Sequence, residues 1–179
     1  AAIRYHAGMA LFAPPPPPSP TGLPGSPAGD PLVVETAGLR DLPALAQLQR
    51  RAFPPRLAYT LSTLVLLRLI PWVRILLVRR NGEVAGCVIG DRVIEGGRVV
   101  NQAVDPAYQR QGIGRALLAE VEVALRTPAM MLMVQAENAS ARALYLSAGY
   151  REDATLPHYY GPDRPGIRMM KGGAAPADA

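Results

Sequence analysis

Between Asp105 and Leu118 the sequence reads DPAYQRQGIGRALL, and in it Gln109, Arg110, Gln111 and Arg115 surround the glycines Gly112 and Gly114 where an amphipathic helix begins. That composition suits an anion. A helix start carries backbone N–H groups with no intrahelical partner, and it is the positive end of the helix dipole. Glycine has no side chain, so a diphosphate can lie close against the backbone on either side of Ile113. Two common nucleotide fingerprints are excluded by the residues themselves. GIGRAL offers the first two glycines of G-x-G-x-x-G but places leucine at the third, and no G-K-[ST] follows.

Other reactive side chains are few. Cys87 is the single cysteine, so neither an intrachain disulfide nor a cysteine-rich metal site can form, and its apolar setting EVAGCVIG leaves a buried structural thiol or a nucleophile as readings. The only histidines are His6 and His158, which gives a histidine-based metal site no support. A formal charge of +5 favours an acidic partner such as a phosphorylated cofactor, RNA or an acidic protein tail without choosing among them. Direct nucleic-acid binding ranks last, because the arginines are scattered and few aromatics accompany them.

The elements that must position these residues follow from periodicity. PLVVETA reads as a strand, DLPALAQLQRRAF as a helix with Asp41 as N-cap, and a second helix lies near Tyr59 to Ile70. VRILLVRR and EVAGCVIG flank Asn81-Gly82, the signature of a tight hairpin, and GRVVNQAV follows as another strand. The helix after Gly112 buries Leu117, Leu118, Val121 and Leu125 and ends at Thr127-Pro128. AMMLMVQA is apolar enough for a central strand, NASARALYLSAGY is a short helix capped by Asn138 and stopped by Gly149, and strands around YREDAT and GIRMMK close the chain. The expected fold is α/β of the α+β kind: a mixed, mostly antiparallel twisted sheet flanked by helices.

One domain is expected over residues 32–171, with a proline-rich tail, linker or docking segment at 1–31 and a frayed end at 172–179. The apolar run LVLLRLIPWVRILLV is broken by Arg68, Pro71 and Arg74, too often for a bilayer span, so no membrane association is expected. No charged segment followed by an apolar stretch and a small-residue cleavage site opens the chain, which makes the cytoplasm the expected compartment.

On these residues a family resemblance rests. VDPAYQRQGIGRALL resembles motif A of the GNAT superfamily of acyl-CoA-dependent N-acetyltransferases, with its Q/R-x-x-G-x-G/A loop, and ENASARALYLSAGYRE resembles the family's motif B. NQAVDPAYQRQGIGRALL and HYYGPDRPGIRMMK are similar to the RimI-type ribosomal-protein-alanine acetyltransferases, and the likeness spans about residues 32–171. It implies acetyl-CoA as cofactor. The backbone of Ala103 and Val104 would pair with the pantetheine arm, while Gln109, Arg110, Gln111, Gly112, Ile113, Gly114 and Arg115 would hold the pyrophosphate. Asn138 would touch the cofactor near its thiol, cap its helix, or both. Tyr145 would be the general acid, with a core tyrosine as the alternative, and Tyr59, His158, Tyr159 and Tyr160 would shape the acceptor groove. The resemblance fails at one place: the family's proton-accepting glutamate, five residues ahead of the asparagine, is Met133.

That gap bears on the acceptor. Neutralising an α-amine at pH 7 costs roughly 1.2 kcal/mol and a lysine amine about 4.6 kcal/mol, so a site without a strong base suits the α-amine of a protein or peptide N-terminus, such as a ribosomal protein. A small-molecule amine, or a catalytically weak acyl-CoA-binding module, are the other readings. The sequence does not specify an oligomeric state.

Overall fold

A computed structural model describes residues 32–172; the proline-rich segment 1–31, with His6, and residues 173–179 lie outside the described residues. The described chain builds a seven-stranded sheet in the order β1-β2-β3-β4-β5-β7-β6. Strand β1 (Val34–Thr36) leads into helices α1 (Leu42–Ala52) and α2 (Leu61–Leu69), and β2 (Val73–Arg80), β3 (Glu83–Val93) and β4 (Gly96–Val104) then form an antiparallel meander. Helix α3 (Ile113–Leu125) carries the chain to β5 (Ala129–Gln135), which lies parallel to β4. After α4 (Ala139–Ser147), strands β6 (Arg151–Leu156) and β7 (Gly166–Gly172) complete the sheet antiparallel to their neighbours. The mixed, mostly antiparallel architecture is the one expected, and β7 runs one residue past the expected domain limit, through Gly172.

Strand alternation divides the core between the two faces. Leu76 and Val78 of β2, with Met130, Leu132 and Val134 of β5, pack under α3 and α4. Ile75 and Leu77 face the other way, against α1 and α2. Cys87 lies on this second face, 1% exposed, with Gln49 Nε2 3.6 Å from its sulfur. Burial pushes its thiol up to about 12, only partly offset by the bond from Gln49, so the residue is a structural thiol and not a nucleophile.

Local signals mostly act as read. Asn81 and Gly82 both take positive φ, 52° and 79°, as a type I′ hairpin turn requires. Asp41 keeps the expected N-cap position of α1 but not the cap's side-chain bond. Its backbone is already helical at φ −85° and ψ −18°, so the carboxylate does not cap α1; it turns back to accept from Gly38 N–H at 2.7 Å and closes a 3-10 turn over Leu39–Asp41. Helix α3 ends at Leu125, where Arg126 takes the left-handed conformation just ahead of the expected stop at Thr127-Pro128. Among the described residues no helix is long and apolar enough to cross a membrane.

Helix α3 packs directly on the backbone of β3 because that strand offers it glycines. A Cβ at Gly86 would lie 2.7 Å from Ile113 Cγ2, and one at Gly90 would lie 2.7 Å from Val121 Cγ2 and 3.0 Å from Leu125 Cδ1. The helix therefore rests on bare backbone, which fixes the height of its N-terminus above β4. Gly90→Ala is expected to overpack this contact and to destabilise the fold by about 1–3 kcal/mol. Thermal denaturation should show a Tm lower by several degrees; an unchanged Tm would mean that α3 is not seated as described.

Candidate active site

The site begins with a fault in the sheet. Against β3, β4 pairs Asn101 with Ile89 and then Val99 with Gly90, so Val100 is an extra residue without a partner. Such a bulge bends its strand and increases its twist. On the other edge the parallel ladder runs Gly97↔Met130, Arg98↔Met131, Val99↔Leu132 and stops at the level of the bulge. Both strands continue, β4 to Val104 and β5 to Gln135. The two central strands therefore part, and the edge of β4 from Asn101 to Val104 turns alternate peptide groups into the wedge between them.

Directly above the wedge lies the loop into α3. Asp105 fixes its start: its backbone N–H bonds Ala85 O at 2.9 Å, Oδ1 accepts from Ala107 N–H at 3.0 Å, and Oδ2 accepts from Arg51 Nε at 2.6 Å. The chain then passes through left-handed backbone at Arg110 (φ 64°) and Gly112 (φ 80°) before the helix starts at Ile113. A cleft of about 540 Å³ opens here, lined by Val104, Tyr108, Arg110, Gly112, Ile113, Gly114 and Arg115 on one side and by Ala139, Ser140, Ala143, Leu144 and Ser147 of α4 on the other. Gln109 and Gln111 belong to the same loop but do not line the cleft, and Ala103 is buried against the opposite face of β4. The arginine of the helix's first turn also closes the cleft mechanically, for Arg115 Nη2 donates to Ser147 Oγ at 2.7 Å and ties α3 to the end of α4. Cationic side chains, a glycine-lined approach and a helix start converge here, a combination that can hold a diphosphate.

Under the cleft, two further residues join the loop to the wedge. Gln102, 1% exposed, donates from Nε2 to Gly114 O at 2.6 Å and accepts at Oε1 from the Tyr145 hydroxyl at 3.3 Å. Tyr145 is fully buried, and burial raises its hydroxyl above the ordinary tyrosine value, so it stays protonated through the physiological range. Asn138 caps α4, accepting at Oδ1 from Ala141 N–H at 3.1 Å, and stands next to the cleft-lining Ala139. Gln102 was not singled out in the sequence. The signal was there: two adjacent polar residues, Asn101 and Gln102, interrupt an otherwise apolar central strand, and a buried amide needs partners.

The opposite face of the sheet gathers a different set. Met133, 6% exposed, reaches Gly166, where a Cβ would lie 2.9 Å from Met133 Cε and 3.0 Å from Tyr159 Cβ. Tyr159 and Tyr160 stack edge to face with centroids 4.8 Å apart, and burial raises both hydroxyls. Burial likewise pushes Tyr59 up to about 12, with Arg98 opposing and Asp91 and Tyr159 adding to the rise. Arg98 and Asp91, a pair the sequence did not announce, form a two-pronged salt bridge at 3.0 and 2.5 Å. His158 stands apart from this packing: it is exposed, at φ 61°, and its Nδ1 accepts from Asp163 N–H at 3.2 Å, which closes the loop between β6 and β7.

Comparison with known proteins accords with this geometry. The Acetyltransferase (GNAT) domain family matches residues 71–152. The [Ribosomal protein bS18]-alanine N-acetyltransferase of Escherichia coli K12 is 44% identical over 84 residues, a stretch that takes in 45% of this chain and 57% of that protein, so the alignment spans little more than half of its length. The protein of the same name from Salmonella typhimurium LT2 is 32% identical over 135 residues, 67% of this chain and 81% of the relative. The crystal structure of the Escherichia coli ribosomal-protein-S18-alanine N-acetyltransferase superposes with a TM-score of 0.69 at 29% identity, covering 83% of this chain and 99% of that one. The fold is also shared with yncA of Salmonella typhimurium, solved with its cofactor acetyl-CoA, at a TM-score of 0.67, 20% identity and coverage of 84% and 100%.

The loop is testable by placing a charge in it. The nearest atom to a Cβ at Gly112 is Leu32 Cδ1 at 3.7 Å, so Gly112→Asp has room and pays only for its positive φ, about 1–2 kcal/mol. The variant is expected to fold and to lose affinity for coenzyme A, whose diphosphate would meet a carboxylate. Calorimetric titration of the folded variant checks this; unchanged affinity would remove the loop from the site.

Proposed function

This chain belongs to the GNAT acetyltransferase family, and from that premise we propose that it transfers the acetyl group of acetyl-CoA to the N-terminal α-amine of a protein, with a ribosomal protein as acceptor. The observation that carries this reading is the parting of β4 from β5 directly beneath the α3 loop. The relatives named as [ribosomal protein bS18]-alanine N-acetyltransferases support the choice of acceptor. A ribosomal acceptor in turn places the work in the cytoplasm.

Bound acetyl-CoA supplies a thioester whose carbonyl carbon a neutral amine attacks directly, forming C–N as C–S breaks and a thiolate leaves. The residues of this chain have separable tasks around that event. Gly112, Gly114 and the N–H groups that follow them hold the diphosphate, with Arg110 and Arg115 supplying charge. The free edge of β4 at Ala103 and Val104 aligns the pantetheine amides as a neighbouring strand would. Asn138 orders the start of α4 beside that arm. Tyr145, kept protonated by burial, gives its proton to the leaving thiolate and regains one from the nitrogen as the acylated amine becomes a neutral amide, and Gln102 holds the phenol in place. Tyr59, Tyr159 and Tyr160 wall the acceptor side, with His158 at its solvent rim.

Met133 contributes no proton acceptor, so the amine must arrive neutral. Activity on an N-terminal peptide is therefore expected to rise with pH along the peptide's own titration, near pH 8, and then to level. Tyr145 adds no falling limb there, because its raised value keeps the proton on through that range. A kcat/KM profile over about pH 6 to 9, followed by release of free thiol, checks this. A plateau well below the peptide's measured pKa would reveal a base that this reading lacks. The same assay run on lysine peptides and small amines separates the acceptor classes, and absence of turnover on every amine would favour an acyl-CoA-binding module.

Tyr145→Phe keeps the ring and removes the hydroxyl. We expect kcat to fall about a hundredfold, the low end for a general acid because a thiolate leaves readily, while affinity for acetyl-CoA is retained. A modest loss of Tm accompanies it, since Gln102 Oε1 loses its donor. Turnover per folded molecule within about threefold of the parent would assign Tyr145 to packing alone.

A further inference from the structure

Buried donors ordinarily have partners, and one left without costs enough to call for a cause. Gln135 is 9% exposed, and its Nε2 has no hydrogen-bond partner among the described residues. It sits at the last position of β5, beyond the point where that strand leaves β4. Met130, Leu132 and Val134 pack beneath α3 and α4, so alternation sends Met131, Met133 and Gln135 to the other face. Gly166, the register partner of Gln135, is the residue against which Met133 and Tyr159 close. The unsatisfied donor thus belongs to the wall that includes Met133 and the paired tyrosines, across the sheet from the diphosphate cleft; it is covered as it stands, and an acceptor meets it when the Gln135 side chain turns outward.

An acceptor approaching that wall brings carbonyl oxygens if it is a peptide and none if it is an alkylamine. We infer that the Gln135 side-chain amide donates to the carbonyl oxygen of the acceptor's first residue and so makes the site select α-amino acyl groups over bare amines. The inference rests on the acetyltransferase reading and adds a recognition residue to it. Gln135 does not replace the carboxylate missing at Met133, because an amide cannot take the amine's proton. What it does is hold the amine by its neighbour: the carbonyl carbon is attached to the same carbon as the nitrogen, so fixing that oxygen orients the nitrogen.

The test compares alaninamide with 2-aminopropane, which keep the same amine-bearing carbon and methyl group and differ by the carboxamide. Gln135→Met preserves length and removes the donor. Its kcat/KM for alaninamide is expected to fall about ten- to a hundredfold, chiefly through KM, with less than a twofold change for 2-aminopropane and none in coenzyme A affinity. Each ratio compares one amine on two proteins, so amine basicity cancels. Equal losses on both amines, or no loss on alaninamide, would overturn the inference. A second measurement uses only the parent protein: corrected for the neutral fraction, it should prefer alaninamide at least tenfold, and a preference under about threefold would equally overturn it. If the parent protein turns over no amine at all, the acetyltransferase reading falls and takes the role of Gln135 with it; turnover with an unchanged preference sinks Gln135 alone.

Discussion

A central strand that keeps its hydrogen bonds on one edge and gives them up on the other is the constraint around which this molecule is organised. Buried peptide groups require partners, yet β4 continues from Asn101 to Val104 after its ladder to β5 has ended at Val99. The bulge at Val100 makes this possible by turning β4 away while its bonds to β3 resume on the far side. An extended ligand with amide groups of its own can complete that edge, so the same defect that weakens the sheet leaves a surface on which the proposed pantetheine pairing rests. The fault stays local because the strands on either side of the wedge are each well paired, β4 to β3 and β5 to β7.

Everything else holds the wedge in register with the loop above it. The glycines of β3 set the height of α3, the Asp105 contacts set where the loop leaves the strand, and Arg115 ties the helix to α4 across the cleft. Gln102 is the link that crosses all of these, since one amide touches Gly114 of the loop and Tyr145 beneath the wedge. The proposed anion end and the proposed bond-breaking end of the site are thereby joined through a single side chain.

What the sequence disclosed and what it concealed divide by range. The glycines and arginines after Asp105, the Asn81-Gly82 turn and the Asn138 cap were readable because each depends on a few neighbouring residues and on backbone geometry that only certain side chains adopt. The Gln102 and Tyr145 contact spans 43 positions, and the Asp91 and Arg98 pair depends on the hairpin between β3 and β4. Neither has a local signature. The bulge at Val100 was missed for a different reason, because an extra residue inverts the faces beyond it without any turn residue to mark the place. Asp41 was legible as the N-cap position but not in its bonding, since a carboxylate before a helix can bond forward or backward, and the preceding 3-10 turn decided the direction. Family resemblance extended the reading to Tyr145 and the tyrosine wall, but Met133 shows where inheritance of a motif stops being inheritance of its chemistry.

The burial of Cys87 carries a practical consequence. It is the only cysteine in the chain, it is shut between the sheet and α1, and its thiol is held far above neutrality. A disulfide reagent added to the native protein finds nothing to modify, so in an assay of the proposed acetyl transfer any colour would count sulfur released from the thioester and none from the protein. Once the layer formed by α1 lifts from the sheet, the same sulfur becomes reactive. Its labelling rate then works as a stopwatch on that opening, built into the chain without any engineered probe.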